Sequence, residues 1–76
     1  MNDIYEILAE IRPEYDFKDS TDFIEDGMLD SFDIISLIDI ISEKYGVSVD
    51  GLDIIPENFC SAQAIADLIR KNGGDI

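Results

Sequence analysis

A small all-α domain, an irregular four-helix bundle of three main helices plus one short helix with a long first loop, is the fold class this sequence predicts. Three stretches repeat apolar residues at helical spacing, and residues that start or stop helices bracket them. The one β-branched stretch, residues 47–55, has no second strand pattern to pair with, so it reads as a loop.

The first helix is expected over residues 3–12, where Ile4, Ile7, Leu8 and Ile11 fall on one face. Asn2 or Asp3 can cap it, and Pro13 stops it because proline cannot donate to the helical ladder. Residues 13–30 then form a long ordered loop, with Phe17, Phe23, Ile24, Met28 and Leu29 as its apolar anchors. Loops of this length in compact domains are uncommon and often functional, which directs attention to the Asp30-Ser31 pair that this one delivers.

From Ser31 to Tyr45 there is neither Gly nor Pro, and Ile34, Leu37, Ile38, Ile41 and Tyr45 share a face, so a central helix is expected with Gly46 as its stop. Pro56 followed by Glu57, Asn58 and Phe59 predicts a short helical turn. Ser61 caps a last helix in which Ala62, Ile65, Ala66 and Ile69 make the buried stripe, and Arg70, Lys71 and Gly73 close it.

Composition narrows the function. Seventy-six residues suffice for one domain, residues 1–76, and not for a catalytic domain with a deep cleft. A single cysteine, Cys60, forms no intrachain disulfide, and without histidine the usual zinc ligand sets are missing. The net charge of −13 repels phosphate backbones and attracts basic protein surfaces, so nucleic acid is not expected as a partner. The first ten residues lack a basic n-region, and the richest apolar run, residues 34–41, is broken by Ser36 and Asp39. That run is far short of the roughly 20 residues that span a bilayer. A cytoplasmic protein without membrane insertion is the expectation. No enzyme is expected either, because serine and cysteine mechanisms lose their usual base in a chain without histidine. A calcium loop aligned on Gly27 would put Ile24 at an oxygen-ligand position and Asp33 where a bidentate Glu belongs, so that pattern fails twice.

The remaining signal is Gly27-Met28-Leu29-Asp30-Ser31-Phe32 at the junction of loop and central helix. A bare Asp-Ser pair at a helix start reads as an N-cap. A serine there also has unpaired backbone N–H groups beside it and the positive end of the helix dipole, which favours a phosphodiester. The whole chain resembles the acyl carrier protein family: first helix, long loop, Asp-Ser-Phe opening the second helix, the Pro-Glu-Asn-Phe turn and the final helix. Phe32 after the serine and the Gly-Met-Leu-Asp-Ser-Phe stretch look like D-alanyl carriers and stand-alone polyketide or peptidyl carriers rather than fatty-acid carriers.

That resemblance implies a carrier whose Ser31 bears 4′-phosphopantetheine, a covalent cofactor that carries acyl or aminoacyl groups as thioesters. It implies as partners a phosphopantetheinyl transferase, an acyl- or aminoacyl-activating enzyme and downstream enzymes with basic docking patches, and it implies a monomeric carrier. Asp30 corresponds to the residue that helps hold magnesium in the family's transferase complex; no resident metal is expected. The outer face of the central helix docks partners in the family, which makes Phe32, Asp33, Ile35, Asp39 and Glu43 the expected contacts. Ile34, Leu37, Ile38, Ile54, Ile65 and Leu68 would line any shelter for an attached chain. A non-covalent acidic interaction module is the competing reading from a different class.

Overall fold

The computed structural model describes residues 2–76 and contains three α-helices: α1 (Asn2–Ile11), α2 (Ser31–Tyr45) and α3 (Ala62–Lys71). Single 3-10 turns lie at Phe17–Asp19, Gly51–Asp53 and Pro56–Asn58, and there is no strand among the described residues. The expected all-α fold is therefore present, with its fourth, short element a lone 3-10 turn at Pro56–Asn58. Asn2 and Asp3 sit inside α1 and not at its cap; the position before them lies outside the described residues.

One core serves all three helices. Ile4, Ile7 and Leu8 from α1, Leu37 and Ile41 from α2, and Ile65, Ala66, Leu68 and Ile69 from α3 are buried together with Phe59 and Val47. Ile34, Ile38 and Tyr45 of the expected α2 stripe are only half-buried and pack at its margin. Gly46 ends α2 in the left-handed region at φ 66°, which a residue without Cβ adopts at no steric cost.

The long loop earns its order from aromatic side chains. Phe17 and Phe23 are buried edge-to-face with ring centroids 5.0 Å apart, and Leu29 follows them into the core. The Phe23 N–H donates to the Cys60 carbonyl at 2.7 Å, tying the middle of the loop to the start of α3. With both aromatic rings and Leu29 fixed, the chain arrives at Asp30 in a defined direction, and this sets where α2 begins.

The expected shelter residues do not form a shared lining. Leu37, Ile65 and Leu68 are buried in the core, whereas Ile54 is 45% exposed on the segment before Pro56. Asp53 in that segment is held by Lys71 of α3 at 2.7 Å, and its carbonyl accepts from the Asn58 amide, also at 2.7 Å, so the backbone there follows α3 and leaves Ile54 outside.

Candidate functional site at the start of the central helix

Asp30 is the N-cap of α2, with extended backbone at φ −116° and ψ −173°. Its Oδ1 accepts from the Asp33 N–H at 3.0 Å, and Asp33 Oδ2 accepts from the Asp30 N–H at 3.0 Å. This reciprocal capping box satisfies two of the donors that a helix start leaves open. Ser31 is the first helical residue, and it is exposed.

A cation completes the arrangement. Arg12, half-buried just beyond α1, donates from Nε to both oxygens of Asp33 at 3.0 and 2.9 Å and from Nη2 to Asp30 Oδ2 at 3.3 Å. Its Nη1 lies 3.6 Å from Glu14. The Asp30 carboxyl is held below its ordinary value chiefly by the Asp33 backbone N–H; desolvation opposes this, and the Arg12 charge adds to the lowering. Arg12 is raised above its ordinary value, chiefly by its hydrogen bond to Asp33 and the charge of that carboxylate. Two acid side chains thus stand beside an exposed hydroxyl, with one guanidinium between them.

The expected contact residues divide. Phe32 is 80% and Ile35 58% exposed, and Ser36, Asp39 and Glu43 are exposed with them, so these side chains have not been drawn into the core or under the loop. Asp33 is the correction. Only 7% exposed, it turns its carboxylate inward to Arg12 and the Asp30 N–H, and it presents nothing to a docking partner. Helical spacing places it near the outer face, but a partner 21 residues away captures it.

Arg12 itself was not a sequence candidate. The available local signal was an acid three residues after an N-cap acid, a variant of the capping-box pattern with Asp in place of Glu or Gln. Leu52 and Ile55, 85% and 42% exposed, form a second outward apolar group beside Ile54 that spacing did not mark.

No helix of the described residues is long and apolar enough to cross a membrane. Among the described residues no group of three or more His, Cys, Asp or Glu side chains is placed to hold a metal ion. In the stretch tested for a calcium loop, Asp22 accepts from the Ile24 and Glu25 N–H groups at 3.1 and 3.0 Å, and Asp26 accepts from the Ser20 hydroxyl, so these carboxylates organise the loop itself. Comparison of the chain with known protein families, with curated proteins and with solved structures gave no match.

Proposed function

We propose that this chain is an acyl carrier protein, modified on Ser31 with 4′-phosphopantetheine by a separate transferase and serving activating and acyl-processing enzymes rather than catalysing a reaction itself. The observation that carries the reading is an exposed serine in the first position of a 15-residue helix, beside a capping box that uses Asp30 and Asp33 and leaves the serine side chain free for chemistry.

The residues present fit such a group. A phosphodiester on Ser31 would sit at the positive end of the α2 dipole, and Arg12 offsets part of the charge of the two neighbouring carboxylates that would otherwise oppose a further anion. When bound, the group supplies a terminal thiol for thioester formation on a long flexible arm. Ser31 supplies the nucleophile for its attachment. Its oxygen bonds to the phosphorus that bears the pantetheine in coenzyme A, and the bond from that phosphorus to the bridging pyrophosphate oxygen breaks. The adenosine bisphosphate leaves with the electron pair, and the serine proton passes to a base of the transferase.

Phe32 and Ile35, exposed on the same helix as Asp39 and Glu43, support docking of a partner that is basic with an apolar centre. The choice of cargo leans toward D-alanyl or stand-alone polyketide and peptidyl carriers, on the motif alone.

Coexpression with a broad-specificity phosphopantetheinyl transferase tests the assignment. The expected result is a mass gain of one phosphopantetheinyl group, lost in Ser31→Ala. An unchanged mass beside a control carrier that is fully modified would overturn it. The exposed Leu52, Ile54 and Ile55 would then favour the non-covalent interaction module.

A further inference from the structure

We propose that Arg12 is a positioning residue for the modification of Ser31, acting through Asp33 and Asp30 to hold the first turn of α2. The inference rests on the carrier reading of Ser31 and adds to it the element that orients the hydroxyl.

Ser31 lies between the two reciprocal bonds of the capping box, one to the Asp30 N–H and one to the Asp33 N–H, both 3.0 Å. The direction of its side chain follows from the backbone that these bonds fix. They bring two carboxylates together, and like charges this close repel unless a cation lies between them. Among the described residues Arg12 is the one basic side chain within bonding distance of either acid.

Its own position is set from α1. The Arg12 N–H donates to the Leu8 carbonyl at 2.9 Å, and Leu8, Ile7 and Ile4 are locked in the core. The buried face of α1 thus determines where the guanidinium stands, the guanidinium holds Asp33 by two bonds and Asp30 by one, and those acids define the frame of Ser31. A lysine cannot reproduce this, because a single ammonium lacks the planar fork that reaches three oxygens.

The attachment reaction depends on how well the serine oxygen is aligned, and misplacement of a reacting group by about 1 Å can cost as much as ~100-fold in rate. The test is steady-state kinetics of a phosphopantetheinyl transferase on the intact carrier and its variants, at temperatures where circular dichroism shows each to be folded. Arg12→Gln should lower kcat by about tenfold with KM for the carrier unchanged, because orientation is lost while the outer face is intact. Arg12→Lys should fall between Arg12→Gln and the parent. The double variant Arg12→Gln with Asp33→Asn should be no slower than Arg12→Gln, since the two residues act in series. Glu14→Gln should keep the parent kcat.

A parent-like kcat in Arg12→Gln, or a rise in KM alone, would overturn the positioning role and leave the carrier reading standing. If Arg12→Gln does not fold, a parent-like kcat in Arg12→Lys overturns it equally. A parent chain that gains no mass overturns both.

Discussion

Truncating Phe32 separates an outward interface from a hidden core. Burying a Phe side chain completely is worth about 1.5–3 kcal/mol. With Phe32 80% exposed, only about a fifth of that, roughly 0.5 kcal/mol, is at stake in Phe32→Ala. The better helix propensity of Ala returns a similar amount, so the net change should be close to zero. Phe59 supplies the contrast: the same chemical change at a fully buried ring costs about 3–5 kcal/mol. For a domain of 76 residues the whole stability is only about 4–11 kcal/mol. Urea unfolding followed by circular dichroism measures both. Taking a slope of about 1 kcal/mol per molar urea, the midpoint of Phe32→Ala should stay within about 0.5 M of the parent, and that of Phe59→Ala should fall by about 3–5 M or the chain should fail to fold. A fall of more than about 1 M for Phe32→Ala would mean that the ring packs against its own protein, and the docking face would lose its largest apolar member.

Two further expectations concern stability. The Asp30 carboxyl is held below its ordinary value of 3.8, so its contribution is complete above that pH and is lost as pH falls through the lower folded-state value. Urea midpoints measured from about pH 7 down to about pH 2.5 should therefore decline less steeply in Asp30→Asn than in the parent, and matching slopes would refute the linkage. At the end of α3 the Gly73 and Gly74 N–H groups return to the Arg70 and Ile69 carbonyls at 3.0 and 2.8 Å, with Gly73 at φ 88°. A Cβ on Gly74 would collide with Ile69 Cγ2 and stand 3.0 Å from Val47 Cγ1. Gly74→Ala should cost about 1–3 kcal/mol by overpacking, and an unchanged thermal midpoint would show that the closing turn yields freely.

The helices were legible because their signals are local. Asp30 and Gly46 bracket α2, Pro13 lies just beyond α1, and Ser61 accepts from the Ala64 N–H at 3.1 Å to open α3. Ser31 was legible for the same reason, as the residue that follows the cap. The inward turn of Asp33 was not, because its cause is a guanidinium brought from the far side of the long loop by α1 packing, and periodicity registers only neighbours on one helix. Ile54 misled in the opposite way. Its apolar character fits a core lining, but the Lys71 bond to Asp53 and the 3-10 turns on either side hold that backbone at the surface. Short 3-10 turns such as Phe17–Asp19 have no apolar period of their own and are visible only once their aromatic partners are placed.

The clasp between Arg12 and the acids of α2 also changes what the intervening chain has to do. With residues 12 and 30 held in contact, the segment between them is a ring whose mouth is already shut, so added length in its part ahead of the buried Phe17, Phe23 and Leu29 costs mainly polymer entropy. Doubling such a ring costs about 0.6 kcal/mol. Residues 13–16 are solvent-facing ahead of the Phe17 anchor, with the Tyr15 N–H bonded to the Arg12 carbonyl and Asp16 capping the next turn, so an insertion beside Pro13 is the change the ring should absorb with the serine in place. The clasp thereby separates the place where the serine stands from the length of the chain that leads to it.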